Sequence, residues 1–487
     1  MQNSELTLPV MDTAKFFDEN IKESIGCTEP AAVALAVAAA FNALKGRLPD
    51  DYPGQSLDLS PQEVSQEIEQ ITVRTDRDVF KNALQVGIPH ECGGRGISKA
   101  AALGVFCNPG KGLELFSDLD GEKSLEAAGL LKAGKVEITP VYDWSGLRIE
   151  AEVKTRTGTG VAHVLNEHSN ITHIVVNGQT KFENHGAEQS LEVLSKLHRL
   201  DDFIEIIENG LGPQAVKTIE NAIIIDHKAS LIAERRFIDL HQHSFGLSIR
   251  SFVRGGYLCE DSMVLAKEKV SLLVEARMTG FDIKVATCAG SGNMGVVATL
   301  PVVAMALYEF AKQHPDCDVN WESVIAVIRE KAPEDWAKLV RAVGLVHLIA
   351  NYTSLCSGKL SASCGCGTKA GVGVAAGIAY YLIPSDDRNR VSILGEAINV
   401  MARGIIGMIC DGGKEGCALK TATATGVAIE SALFACRGLS LSRSDGIADM
   451  DAVVTLKNIG MLSNATVDID RKILELAREG IARRFAG

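Results

Sequence analysis

Several things are scarce or missing in this chain of 487 residues, and each absence removes a class of protein. Basic residues are in deficit: Lys and Arg number 49 against 61 Asp and Glu, for a net charge of −12, which argues against a nucleic-acid or anionic-membrane partner. No run reaches the roughly 20 apolar residues of a membrane span; the longest candidates, 31–41 and 370–383, are short and rich in Ala and Gly. The start, MQNSELTLPVMDTAKFF, lacks the basic and apolar stretches of a signal peptide, so the expected compartment is the cytosol. Twelve cysteines fall far short of a disulfide scaffold, and none form the C-x2-C pairs of a zinc ribbon. No strong signal for a pyridoxal-phosphate lysine appears either.

What is present describes a globular chain, 46% apolar and 23% charged, long enough for two domains. Residues 12–46 read as helical with a break near Gly26 to Pro30, and RLPDDYPGQSLDLSP (47–61) reads as a linker. From about 71 to 226 the pattern alternates. Ile138 to Asp143, Leu147 to Thr155 and Ile171 to Gly178 read as strands, and helices are expected over 98–104 and 188–208. Leu147, Ile149, Ala151 and Val153 fall on one strand face. After Phe245 strand signals nearly vanish and long apolar helices are separated by glycine- and cysteine-bearing breaks. The expected fold is α+β: N-terminal helices (1–60) packing on a large, mainly helical catalytic domain (245–487), with a smaller α+β unit (70–240) carrying a mixed or antiparallel sheet.

The breaks hold the chemistry. SASCGCGTKAGVGVAAG contains Cys364 and Cys366, and GMICDGGKEGCALK contains Cys410 and Cys417. In a reducing compartment, thiols clustered on glycine-rich loops point to metal or catalysis before disulfides. Others, such as Cys259 and Cys436, lie in helical-looking stretches and read as small buried hydrophobes. In ESIGCTEPAAVALAVAAA, Thr28 or Glu29 is expected to cap a helix with Pro30 in its first turn. Cys27 would then sit at the positive end of a helix dipole, which lowers a thiol's pKa. CAGSGNMGVVATLP spells G-x-G-x-x-G with Gly290, Gly292 and Gly295, but no parallel βαβ unit follows, so a dinucleotide site is not expected. Free N–H groups at that helix start can hold a substrate carboxylate instead.

These pieces, SIGCTEP, AGSGNMG, SCGCG with AGVGVAAG, and GMICDGGKEGCALK, span positions 24–420 and together resemble the L-cysteine desulfidase family, which is related to the α-domain of the iron–sulfur L-serine dehydratases. The resemblance implies a [4Fe–4S] cluster held by three thiolates with one iron open as a Lewis acid. By the matching pattern Cys410 and Cys417 are ligands. Cys364 and Cys366 compete for the third place, with Cys364 preferred from its spacing to the following glycine-rich helix. Cys27 corresponds to the proposed catalytic base; Asn293, with Ser291, Gly292 and neighbouring N–H groups, would anchor a small amino-acid substrate, with Thr28 and Glu29 close by. One departure is CGCGTKAG, where Thr368 and Lys369 replace small apolar residues; Lys369 reads either as a cation near the substrate carboxylate or as an exposed side chain.

The implied reaction is α,β-elimination of L-cysteine to pyruvate, ammonia and hydrogen sulfide. The alternatives are an L-serine dehydratase, which differs in the leaving group, and a non-catalytic iron–sulfur redox sensor. A homodimer is compatible with all three.

Overall fold

The computed structural model describes residues 11–53, 57–89, 94–144, 146–184, 193–440 and 444–485. Helix α1 (Thr13–Asn20), opened by Asp12 accepting from the Lys15 N–H, leads through the short strand β1 (Glu23–Ile25) into α2 (Thr28–Leu44). The break expected between the two helices is therefore a strand and a cap. Cys27, and not Thr28 or Glu29, is the N-cap residue of α2.

The α+β lobe contains α3 (Pro61–Glu67), β2 (Ile68–Asp76), α4 (Arg77–Ala83), α5 (Ile97–Gly104), α6 (Gly121–Lys132), β3 (Val136–Val141), β4 (Arg148–Thr155), β5 (Gly158–Leu165), β6 (Ile171–Val176) and β7 (Gln179–Glu183). Ser60 and Glu63 form a capping box at the start of α3, with Pro61 at its first position. The sheet runs β3-β2-β4-β5-β6-β7. It is mixed, because β2 and β3 pair in parallel and the other neighbours are antiparallel. Leu147, Ile149, Ala151 and Val153 are all buried, as their period of two requires.

Against that face lies α2. Its alanines present no large side chain in any direction, so it is buried all round between the sheet and α5. The closest approach is at Gly160 of β5, where a Cβ would collide with the Ala40 carbonyl. The expectation that the N-terminal helices pack on the helical domain holds for α1 alone. An apolar stripe in a sequence does not name its partner, and in α2 every face is apolar.

The helical body contains α7 (Leu200–Asn209), α8 (Pro213–Asp239), α9 (Phe245–Arg254), α10 (Ser262–Thr279), β8 (Lys284–Ala286), α11 (Gly292–Gln313), α12 (Val324–Lys331), α13 (Pro333–Ser357), α14 (Gly371–Leu382), α15 (Arg390–Ile405), α16 (Cys417–Cys436), α17 (Ala452–Ala465) and α18 (Val467–Phe485). The body begins earlier than the expected boundary at 245. Phe203, Ile207, Ile219, Ile223 and Phe237 put the apolar faces of α7 and α8 into its core. Of the helix expected over 188–208, positions 188–192 lie outside the described residues, and α7 begins at Leu200.

Two helices, Gly292–Gln313 and Pro333–Ser357, are long and apolar enough to pass the length test for a membrane span, contrary to the sequence expectation. In each, 83% of the apolar window is buried inside the protein, where the two pack on each other as core. Cys259 also departs from expectation: it is exposed in the turn between α9 and α10.

Candidate active site

Strands β1 and β8 pair antiparallel, Glu23 with Ala286, Ser24 with Val285 and Ile25 with Lys284. This ribbon brings Cys27, just after β1, beside the turn that follows β8. The turn is tight: Cys288 and Ser291 exchange backbone hydrogen bonds of 3.0 and 2.9 Å around Ala289 (φ 49°) and Gly290 (φ 78°). Two successive residues in the left-handed region favour glycine, and only one of them is glycine here. Ser291 then caps α11.

The remaining glycines of G-x-G-x-x-G have packing duties. A Cβ on Gly292 would overlap the Arg277 guanidinium, and one on Gly295 would overlap the Ala286 carbonyl of β8. Arg277, on α10, is 1% exposed and donates to Asn293 Oδ1 and to the Gly26 carbonyl. With its oxygen held in this way, the Asn293 amide turns its Nδ2 toward Met278 Sδ at 3.4 Å. A thioether is a weak acceptor, so the Nδ2 donor remains available to a stronger one.

Beside the ribbon, in the first turn of α2, Glu29 gathers a small network. Its Oε2 accepts from Cys27 Sγ at 2.9 Å and from Thr28 Oγ1 at 3.2 Å, and its Oε1 accepts from Asn82 Nδ2 at 2.9 Å. Asn82 Oδ1 in turn accepts from Cys410 Sγ at 3.5 Å, so a chain of hydrogen bonds runs from Cys27 to Cys410. Burial pushes the Cys27 thiol well above its ordinary range. The negative charge and hydrogen bond of Glu29 push the same way, and the charge of Arg277 opposes them. The expectation of a lowered thiol is thus reversed: the dipole of α2 is outweighed by desolvation and by a carboxylate. Burial, the largest single influence on Glu29, raises its carboxyl. His168, Cys27, Asn82 and its own backbone N–H together hold it below the ordinary value.

The other side is a wall of thiols. The loops carrying Cys364 and Cys410 are zipped by backbone hydrogen bonds, Cys364 N–H to the Met408 carbonyl and Cys410 N–H to the Ala362 carbonyl, both 2.8 Å. Cys366 begins the π-helical turn Cys366–Ala370, and Cys417 is the first residue of α16. The hydrogen bond between Cys364 and Cys366 lowers Cys364 and raises its partner, and the N–H groups of Gly367 and Cys366 favour the Cys364 thiolate further. Cys410 is raised by burial, with Lys81 acting against it, and burial pushes Cys417 up to about 12. Lys81 is itself buried and bonded to Asp470 and, at 3.1 Å, to Asp78.

Lys369 is fully buried in this wall. Its Nζ donates to the Gly358 carbonyl at 2.6 Å and the Lys359 carbonyl at 3.1 Å, and burial brings it down to about 8. The reading of Lys369 as an exposed side chain is excluded.

Cys27, Thr28, Glu29, Ser291, Gly292, Asn293, Cys364, Cys410 and Cys417 all line one cleft, together with Cys366 and Lys369. It spans about 700 Å³ of atom-free space, part of it open solvent. Arg277 and Asn82 also line it and were missed in the sequence. Arg277 does not stand out there, because it follows Glu275 on a helix that also carries Lys267, Glu268 and Lys269.

Among the described residues, no three His, Cys, Asp or Glu side chains converge closely enough to hold a single metal ion. Four soft donors spread over one wall, with Lys81, Lys369 and Lys420 near enough to stabilise their thiolates, suit a multi-iron cluster better. The residues present fit such a group.

The model of the serine dehydratase alpha chain family matches residues 166–475, which takes in Arg277, the Ser291–Asn293 turn and all four thiols of the wall. A UPF0597 protein of Desulfatibacillum aliphaticivorans is 30% identical over 473 residues, 94% of this chain and 96% of its own length. One from Desulfotalea psychrophila is 30% identical over 480 residues, 95% and 98% of the two chains. One from Caldanaerobacter subterraneus subsp. tengcongensis is 30% identical over 449 residues, 91% and 92%. No solved structure matches. The UPF0597 similarity also covers nearly the whole chain, beyond the stretch that the family model matches. With the fold α+β and the thiols gathered at one cleft, the chain belongs to the serine dehydratase alpha chain family and, within it, groups with the UPF0597 proteins.

Proposed function

We propose that the protein is an iron–sulfur lyase that eliminates the β-substituent of a small amino acid, with L-cysteine the first substrate and pyruvate, ammonia and hydrogen sulfide the products. The observation that supports this reading is the meeting, in one cleft, of a wall of thiols, a hydrogen-bonded Cys27–Glu29 pair and an oriented Asn293 amide. A [4Fe–4S] cluster on Cys364, Cys410 and Cys417 would supply a Lewis acid for the leaving sulfur or oxygen. Cys364 is preferred over Cys366 as the third ligand from its spacing to the glycine-rich helix that follows.

The chain's own residues bind and move protons. Asn293 Nδ2, Ser291 and the N–H groups opening α11 hold the substrate carboxylate, while Arg277 fixes the amide that does so. Cys27 rests as a thiol, so its proton must leave before it can act as base. Glu29, 2.9 Å away, takes that proton, and the thiolate then removes the Cα proton. Loss of the β-substituent leaves an aminoacrylate, which tautomerises and is hydrolysed by water.

L-Serine is the second reading, favoured by the name of the family whose model matches. Anaerobically purified protein, assayed with both amino acids, is expected to release sulfide from cysteine with a kcat/KM at least about tenfold above pyruvate release from serine, a transition-state difference of about 1.4 kcal/mol. The reverse ratio makes it a dehydratase. A cluster-loaded protein that turns over neither refutes the lyase reading and leaves the redox sensor.

A further inference from the structure

The cleft lined by Ser291, Gly292 and Asn293 is also lined by Lys359, from the loop between α13 and Cys364. The Lys359 side chain is only 8% exposed. Among the described residues its Nζ makes no hydrogen bond of good geometry, and its counter-charge is Glu167, from the turn between β5 and β6. An ammonium carries three donors, and taking it out of water is costly unless acceptors replace the water lost. A position that served packing alone would carry an apolar side chain. Contacts from both lobes fix where this cation stands. Lys369 Nζ donates to the carbonyls of Gly358 and Lys359 at 2.6 and 3.1 Å, which ties the main chain of Lys359 to the π-helical turn beginning at Cys366. Glu167 holds the head group from the α+β lobe. The same carboxylate stands over the glycine turn, with its Oε2 4.0 Å from where a Cβ on Gly290 would be. The ion pair thus lies beside the turn that leads into Ser291 and α11.

We propose that Lys359 is a substrate-binding residue whose ammonium takes one oxygen of the substrate's α-carboxylate, while Asn293 Nδ2 and Ser291 take the other. Glu167 keeps one donor of the ammonium and the carboxylate fills another, so the bound state adds a charge-assisted hydrogen bond without breaking the ion pair. This rests on the proposed function for the class of ligand, a small amino acid, and deepens it by naming what the site demands of that ligand. A free carboxylate is required. An analogue with a neutral amide in its place leaves the buried cation short of an acceptor, and a site built around such a group rejects the analogue that cannot satisfy it. The α+β lobe, through Glu167, thereby takes part in choosing the substrate of a site whose thiols all come from the helical body.

The test measures binding without turnover. Full-length protein, prepared anaerobically, is titrated by calorimetry with L-alanine, which has no β-substituent to lose, and with L-alaninamide. Wild type should bind alanine at least about tenfold more tightly than the amide, the effect of one charge-assisted hydrogen bond. Lys359→Met should weaken alanine binding by about tenfold or more and change amide binding by less than about threefold, so the preference itself falls. Lys359→Arg, which keeps the charge, should retain most of that preference. A disturbed fold would weaken both ligands alike and leave their ratio unchanged. Wild type that fails to prefer alanine overturns the proposal without any variant, as does an unchanged ratio in Lys359→Met. Protein that binds alanine through Lys359 but turns over neither cysteine nor serine refutes the lyase reading alone. An active lyase whose preference ignores Lys359 refutes this assignment alone.

Discussion

The two walls of the cleft are finished to different degrees. On the ribbon side, Glu29 accepts from Cys27, Thr28 and Asn82, and Arg277 donates to Asn293. On the thiol side, the bonds of the four cysteine sulfurs among the described residues are the Cys364–Cys366 pair and two weak donations, Cys410 to Asn82 and Cys417 to the Gly412 carbonyl at 3.6 Å. Under the proposed function the thiol side is the one that would hold an inorganic group, and binding it would release the protons that burial favours on Cys410 and Cys417.

The sharpest way to break this contrast is to damage each wall separately. Cys410→Ser is expected to remove iron and acid-labile sulfide together with all measurable turnover, read by iron content and the visible spectrum after anaerobic preparation. A fully loaded, active Cys410→Ser would end the division between the walls. Cys27→Ser should keep the cluster spectrum and lose roughly two to four orders of magnitude in kcat, the usual range for a general base. Iron loss in that variant would move Cys27 to the other wall.

The smallest expected effect concerns stability behind the ribbon. Asp226 is fully buried and accepts from the Ala286 N–H of β8 at 2.8 Å, and burial pushes its carboxyl up to about 7. Its folded-state pKa lies above the unfolded value near 3.9, so the unfolded chain sheds the proton first. The stability it contributes is complete below about pH 4 and is lost as pH rises to about 7, by at most about 1.4 kcal/mol per pH unit. Asp226→Asn should flatten that slope in denaturant melts between pH 4 and 7. An unchanged slope would assign the dependence to other groups.

Much of this was legible in the sequence, and what was not has physical reasons. The cysteine loops, the capped break at Cys27 and the glycine turn announce themselves because cysteine and glycine are used where backbone or ligand demands them. Arg277, Asn82 and Lys359 do not. A polar residue in a helix or a loop shows its direction only once the neighbours are packed, and their partners lie far away in the chain, Gly26 being 251 positions from Arg277. The raised thiol of Cys27 was hidden for a related reason. The helix dipole can be read from local sequence, but the depth of burial that outweighs it cannot. The early start of the helical body was missed because α7 and α8 are amphipathic, a pattern equally at home against a sheet.

The β1–β8 ribbon also bears on how the chain is made. Its partners are separated by about 265 positions, as in the bond from the Lys22 N–H to Thr287 Oγ1. During synthesis the first strand must therefore wait for most of the chain before it can pair, with Phe16 and Phe17 lacking their final cover until α8 appears. A native core that depends on so distant a closure forms slowly and exposes sticky surface in the interval. The newborn polypeptide accordingly stays open to misassembly until more than half of its length has been made.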